Sequence, residues 1–322
     1  MRTYVLRRLL HAIPLLLGVI TISWGLMQLV PGDFSNFLPD HPGITQDTVD
    51  DFRRRFGLDR PWWVQYLLYL RNVLFHFDLG MSFSYARPAF SVLREGFAST
   101  LLLQGAAVLV TWGLAIPLGI LAAVHRASWG DRAASLVAVV GLSIPEVVMG
   151  LLCLLFAART GLFPLGGMHS FEWERYATSH RVLDLLWHLT LPAVVVSLAP
   201  LAARMRQTRG NLLDVLGAEY VTTARAKGLD ERAVIYKHAL RNALNPLITL
   251  FGYSLGALFS GSLIAEIIFS WPGLGRITFE ALWTQDQYLV SGGILMVSVM
   301  LVIGNLVADL LLAAADPRVA LD

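Results

Sequence analysis

Glu219-Tyr220-Val221-Thr222-Thr223-Ala224-Arg225-Ala226-Lys227-Gly228-Leu229 is a polar, basic stretch lying between two hydrophobic runs of the chain. Apolar residues at Leu212, Val215, Leu216 and Ala218, then Tyr220, Val221 and Ala224, follow a helical period and predict an amphipathic helix over 211–227. Arg225 and Lys227 fall in its last turn, where cations favour the helix dipole. Gly228 stands where a left-handed stop residue is needed, and Leu229 supplies the apolar contact that follows such a stop. Asp230 is placed to cap a second helix beginning at Glu231 and Arg232. The expected unit is therefore helix, sharp turn, helix, with nothing in it suited to catalysis. A membrane protein that builds such a unit offers a handle to another protein; the competing explanation is a solvated helix lying on anionic lipid. Small residues at Ala218, Ala224, Ala226 and Gly228 favour docking, because they let another backbone come close.

Composition places this stretch on a membrane protein. Of 322 residues, 56% are hydrophobic and only 15% charged, where a soluble domain carries about 25% charged residues. A charge at the bilayer centre costs roughly 2.5–3.5 kcal/mol, so the deficit is the expected one. The net charge of +2 gives no nucleic-acid footprint. A single cysteine, Cys153, excludes an intrachain disulfide and a cysteine-rich metal site. Arg2, Arg7 and Arg8 before a long apolar run resemble a signal peptide, but the run is too long and no A-x-A site follows it. An uncleaved first span is the better description.

Six segments are apolar enough to span at about 20 residues each: 9–30, 98–124, 133–158, 185–203, 243–269 and 289–314. Prolines at 14, 117, 145, 192, 200 and 246 interrupt them, which a bundle tolerates where neighbours or water satisfy the freed carbonyls. Arginine placement sets the orientation. Arg2, Arg7 and Arg8, then Arg126 and Arg132, then the set from Arg204 to Arg241, and finally Arg318, all fall on one side of a six-span topology. That side is predicted to be cytoplasmic, with both termini on it. The implied division is a first span at 1–30, an external helical segment at 31–97, a five-span core at 98–314 with a cytoplasmic loop at 204–241, and a cytoplasmic tail at 315–322.

The external segment opens with a turn at Pro31-Gly32-Asp33. Asp47 to Phe56 is predicted helical, with Thr45 as its cap and a Schellman stop at Gly57-Leu58. Pro61 to Phe75 is predicted as a second helix whose Trp62, Trp63, Tyr66 and Tyr69 suit a membrane interface.

Within or near the spans lie Glu146, His188, Asn245, Glu266, Asn305 and Asp309. Intramembrane polar groups are candidates for function because they must face protein or water. Glu146, Asn245 and Glu266 are taken as candidate substrate-pathway residues, Glu146 for attraction of a peptide amino terminus; a structural role is favoured for Glu266 and Asp309, which lie near span ends. No P-loop, H-E-x-x-H or G-x-S-x-G pattern occurs, so no ATP site, metal site or catalytic residue is expected in this chain. A self-contained secondary transporter would need a midplane coupling-ion site, for which there are few charges. A membrane hydrolase using His188 or Glu146 lacks a recognisable nucleophile, base and orienting group.

The run Tyr220 to Leu229, followed by His238-Ala239-Leu240-Arg241-Asn242-Ala243, closely resembles the EAA loop of ABC importer permeases, and more narrowly of the dipeptide/oligopeptide branch. Tyr4-Val5-Leu6-Arg7-Arg8-Leu9-Leu10, Pro31-Gly32-Asp33, Phe56-Gly57-Leu58-Asp59, Asp78-Leu79-Gly80 and Phe269-Ser270-Trp271-Pro272-Gly273-Leu274-Gly275-Arg276 extend the resemblance through the chain, as do Asn305 to Leu310 and Asp316-Pro317-Arg318. The resemblance implies an all-α, six-helix transmembrane bundle of the type I importer kind with a small helical external segment. It further implies a bacterial or archaeal plasma-membrane location, a second homologous permease subunit, two cytoplasmic ABC ATPase subunits that bind the ATP, and an external solute-binding protein. The coupling residues it carries over are Glu219, Tyr220, Thr223, Ala224, Arg225, Ala226, Lys227, Gly228 and Leu229. Di- or oligopeptides are the implied cargo; nickel, glutathione and sugar importers share the pattern and stay open. Two departures stand out: Ala218-Glu219-Tyr220 replaces Glu-Ala-Ala, and Glu146 follows Pro145 where a small polar or aromatic residue is expected.

Overall fold

The computed structural model describes residues 2–32, 34–35, 45–258 and 261–315. Asp33 of the predicted turn, and the tail with Asp316, Pro317 and Arg318, lie outside the described residues. Long helices dominate because the apolar runs must satisfy their own backbone groups in lipid. α1 (Arg2–Leu29), α4 (Ala89–Val124), α7 (Thr178–Leu216) and α14 (Gln287–Ala315) are each long and apolar enough to cross a membrane. They realise four of the six expected segments, and α4 and α7 run well beyond the predicted bounds. At 1.5 Å per residue, the 39 residues of α7 rise about 58 Å, well beyond the roughly 30 Å of a bilayer core.

The third and fifth segments are broken rather than continuous. α5 (Trp129–Ser143) and α6 (Glu146–Thr160) meet at 108°. Ile144 is extended, as the residue before a proline prefers, and Pro145 then starts α6. The fifth divides into α11 (Asn245–Ala257) and α12 (Leu263–Ile268), with Gly261 at φ +70° between them. Pro246 sits in the first turn of α11, where its missing N–H costs nothing.

The helices are tied at identifiable points. α4 and α7 form the most extensive contact. Gly119 makes that approach close: an added Cβ would lie 2.6 Å from the Thr208 side chain and 2.8 Å from the Met205 carbonyl. α1 is clamped to α14 by Asp309, which accepts from the Tyr4 hydroxyl at 2.7 Å and pairs with Arg8 at 2.8 Å. Arg209 of α7 holds Asp131 of α5 through two bonds of 2.6 and 2.9 Å. Buried His188 lies against the Asp184 carbonyl, while the Asp184 carboxylate takes the Ser170 amide and hydroxyl; this fastens the loop after α6 to α7. The structural role expected for Asp309 thus has visible partners.

The segment after α1 contains α2 (Gln46–Phe56) and α3 (Trp62–His76), close to the predicted bounds. Gly57 adopts φ +69°, and the Leu58 and Gly57 amides return to the Arg53 and Arg54 carbonyls, the predicted Schellman stop. Thr45 occupies the cap position of α2 in extended geometry but makes no side-chain cap bond. Tyr69 stacks on Trp24 with ring centroids 4.7 Å apart, packing α3 onto α1, while Trp62 and Trp63 stay exposed. A two-residue antiparallel pair, β1 (Met81–Ser82) with β2 (Arg87–Pro88), adds a small hairpin, and the other regular elements among the described residues are helical. Buried Asp286 pins this hairpin, accepting from the Ser82 hydroxyl at 2.7 Å and the Ser84 amide at 3.0 Å.

Candidate functional site

The stretch from Gly217 to Ala243 builds a compact unit at one end of α4 and α7. The sequence predicts one helix over 211–227, but the chain breaks at Gly217 and Ala218, and Ala218 is extended. A separate short helix, α8 (Glu219–Ala226), follows. The break has a physical cause: glycine is a weak helix former, and the bent chain buries both of α8's inward residues. Val221 is fully buried and Ala224 nearly so. They join Ile120 and Ala123 of α4, Leu212 of α7 and Val234, Ala239 and Ala243 in one apolar cluster.

The stop at the end of α8 is a complete Schellman motif. Gly228 has φ +76°, its amide reaches the Arg225 carbonyl at 2.9 Å, and the Leu229 amide reaches the Ala224 carbonyl at 3.4 Å. Leu229 itself is 44% exposed, so its side chain is open to a partner rather than folded away. Asp230 caps as predicted, accepting from the Arg232 amide at 3.1 Å. α9 (Glu231–Ala233), a π-helical turn at Val234–Ala239 and α10 (Leu240–Ala243) carry the chain back to α11.

Two polar links hold α8 against this return segment. Arg225 grips the Glu231 carboxylate through bonds of 2.8 to 3.2 Å. The Arg225 hydrogen bond draws the Glu231 carboxyl below its ordinary range, and the same pairing raises the guanidinium. The Asn242 amide donates to the Tyr220 hydroxyl at 2.9 Å. Neither pairing is legible in the sequence, because Glu231 and Asn242 lie 6 and 22 residues from their partners and only the turn brings them back.

The predicted site residues therefore divide. Glu219, Tyr220, Thr223, Arg225, Ala226, Lys227, Gly228 and Leu229 are exposed. Ala224 is turned inward, so its small size serves close packing of α8 on its own support, and the open small positions are Ala226 and Gly228. The outward face offers one carboxylate, hydroxyls and cations on a rigid base of about two helical turns.

The three candidate pathway residues do not form one site. Glu146, the first residue of α6, accepts from the Ser262 hydroxyl, and Ser262 caps α12. That bond joins the two broken spans at their breaks. Asn245 is exposed at the start of α11, at the opposite end of that helix, about 18 Å of rise long, from the side that leads to Ser262. Glu266 is fully buried. Its carboxylate accepts from the Thr100 hydroxyl at 2.6 Å and the Arg276 amide at 3.0 Å, at the start of α13 (Leu274–Trp283). Gly273 and Gly275 are required there: a Cβ on Gly273 would lie 2.1 Å from the Glu266 carboxyl carbon, and one on Gly275 2.9 Å from a carboxylate oxygen. The run Trp271-Pro272-Gly273-Leu274-Gly275-Arg276 is thus a loop wrapped around a buried carboxylate. Among the described residues, no group of three or more His, Cys, Asp or Glu is placed to hold a metal ion.

Comparison with known proteins agrees with this architecture. Residues 115–321 match the family described as binding-protein-dependent transport system inner membrane component, and residues 1–103 match its N-terminal companion. The chain is 37% identical over 321 residues to the oligopeptide transport system permease protein AppB of Bacillus subtilis, covering 99% of each. It is 36% identical over 336 residues to the dipeptide transport system permease protein DppB of Escherichia coli K12, again covering 99% of each. Among solved structures, the inward-facing MetNI methionine ABC transporter shares the fold, with TM-score 0.51 and 18% identity over 70% of this chain and 97% of that one. A multi-pass helical bundle with a helix-turn-helix unit between α7 and α11, matched over nearly its whole length by these permeases, belongs to the binding-protein-dependent transport system inner membrane component family, the permease subunits of ATP-driven ABC importers.

Proposed function

We propose that the chain forms half of a translocation pathway for di- or oligopeptides and is driven through α8 by separate ATPase subunits. Support for the cargo comes from the names of its relatives, which are oligopeptide and dipeptide permeases. Support for the coupling role comes from one observation: α8 is anchored on its inner face by Val221 and Ala224 and stopped by Gly228, leaving Glu219, Tyr220, Thr223, Ala226 and Lys227 facing outward. A short helix with a fixed base transmits a push to α4 and α7 instead of bending. The chain's role is transport, with ATP bound by its partners.

In this scheme the α8 end and both termini lie in the cytoplasm, which the arginine asymmetry supports. Residues 1–30 form the first span, 31–97 an external segment, 98–314 the core with its coupling loop at 204–241, and 315–322 a cytoplasmic tail. Its partners are a second homologous permease subunit, two ATPase subunits and an external solute-binding protein. Glu146 is placed on the pathway at the junction of the two broken spans, while Glu266 positions α13.

The test is site-specific cross-linking in intact membranes from Ala226, which faces out, and from Ala224, which faces in. Capture of the ATPase from position 226 but not from 224 is expected. Capture from neither, in cells that take up peptide normally, would remove α8 from the interface.

A further inference from the structure

A cavity of about 350 Å³ opens between the β1–β2 hairpin, the first turns of α4, and α13. It lies in the volume range of small-molecule sites, roughly 300–1,000 Å³. Four charged side chains and one phenol line it. Arg87 of the hairpin holds Glu95 of α4 through two bonds of 3.1 and 2.7 Å. Arg276 of α13 holds Glu280 one turn on at 2.6 Å. The ring of Tyr85 lies beneath the Arg87 guanidinium, 5.9 Å from it.

Each wall of this cavity is fixed from behind. Asp286 secures the hairpin through Ser82 and Ser84. Glu266 and Thr100 secure the start of α13, whose Leu274 amide donates to the Thr100 hydroxyl at 2.8 Å. At Gly96, α4 and α13 approach so closely that a Cβ would lie 2.5 Å from the Ile277 side chain. The charged groups, by contrast, are open: Arg87 is 43% exposed, Glu95 56%, Arg276 31% and Glu280 45%. A rigid pocket with labile charge pairs is a binding arrangement, since half-exposed ion pairs contribute only about 0–1 kcal/mol and exchange partners at little cost.

We propose that this cavity is a subsite for the charged termini of a small zwitterion, which on the peptide reading above is a short peptide with free ends. Its carboxylate takes the Arg276 and Arg87 guanidiniums, and its ammonium takes Glu95 and Glu280. Two positive and two negative groups sum to zero, so a ligand that brings one charge of each sign leaves none unpaired, whereas a ligand blocked at one end strands a group of the pocket. The inference rests on the peptide reading for its ligand, and on the cavity for its place in the chain.

The experiment uses the complete importer in membrane vesicles with its binding protein, and three probes: alanyl-alanine, its C-terminal amide and its N-acetyl derivative. Arg276→Gln is expected to raise the apparent KM for alanyl-alanine about tenfold, the loss of one charge-assisted bond, and to leave the amide unchanged. Glu95→Gln is expected to do the same for alanyl-alanine and leave the N-acetyl probe unchanged. The blocked probe serves as the folding control for each variant. Variants that reduce all three probes equally, or none, overturn the subsite while the peptide reading stands. A wild-type importer that takes up none of the probes overturns that reading and the subsite together.

Discussion

The Thr100 hydroxyl donates to the Glu266 carboxylate at 2.6 Å, joining α4 to α12 across 166 residues of chain. Thr100 in turn accepts from the Leu274 amide, and Glu266 accepts from the Arg276 amide, so one threonine and one glutamate fix the start of α13. Both side chains are buried, so each missing bond leaves a polar group without water to replace it. Thr100→Val is expected to cost about 1–3 kcal/mol and lower the thermal midpoint of the detergent-solubilised subunit, while Thr100→Ser, which keeps the hydroxyl, recovers most of it. Equal midpoints for valine and wild type would show that the knot is not a stabilising element.

Gly228 has open space around its missing Cβ and a φ of +76°. A substitution there is therefore opposed by backbone strain alone, about 1–2 kcal/mol for a left-handed non-glycine residue. Gly228→Val is expected to abolish ATP-coupled uptake while the subunit still inserts, and Gly228→Asn to be milder, since asparagine tolerates this conformation. Normal coupled transport in the valine variant contradicts the lever.

The Arg225–Glu231 pair is expected to make the α8 turn acid-sensitive. Arg225 lowers the Glu231 carboxyl in the folded protein, from an ordinary value of 4.5. A carboxyl depressed on folding contributes stability that is fully present above the unfolded value and lost as pH falls through the folded one. Hydrogen exchange across 219–231 is expected to be flat from pH 7 to about 5, after correction for intrinsic rates, and to rise below the unfolded value. In Glu231→Gln the acid-dependent rise should vanish; its persistence would assign the effect to another group.

Glu146 accepts from Ser262 where two broken spans meet, and glutamine keeps an acceptor there while removing the charge. Glu146→Gln is expected to insert and assemble normally but to lower uptake, most for peptides carrying extra positive charge. Unchanged rate and specificity would take this residue off the pathway.

At Gly119 the obstacle to any side chain is partly backbone, the Met205 carbonyl at 2.8 Å, which cannot rotate away. Gly119→Ala is expected to push α4 from α7 at a cost of about 1–3 kcal/mol, the range for overpacking. Gly113, with nothing within 4 Å, is the matched control, and its alanine variant should not lose stability through crowding. Comparable thermal midpoints for the two variants would deny the close approach.

Much of this organisation is written in local pattern. The stop at Gly228, the cap at Asp230 and the twin stop at Gly57 all follow from residues within a turn of one another, and the structure forms each of them. The continuous helix expected over 211–227 does not form, because Gly217 yields to the burial of Val221 and Ala224 against α4 and the return segment, an interaction no local pattern encodes. Hydropathy located the third and fifth apolar segments but could not reveal the 108° bend or the gap before α12, since a broken span is as apolar as a straight one.

From the sequence alone came the membrane class, the apolar segments, the basic helix-turn-helix and the likeness to importer permeases, since hydropathy, charge placement and turn chemistry are carried by neighbouring residues. Only the tertiary structure decided that Ala224 faces inward, that Glu266 lies enclosed by a glycine loop, and that Arg87, Glu95, Arg276 and Glu280 share one cavity. Those facts depend on contacts between residues far apart in the chain, and a side chain's surroundings are set by what folds against it.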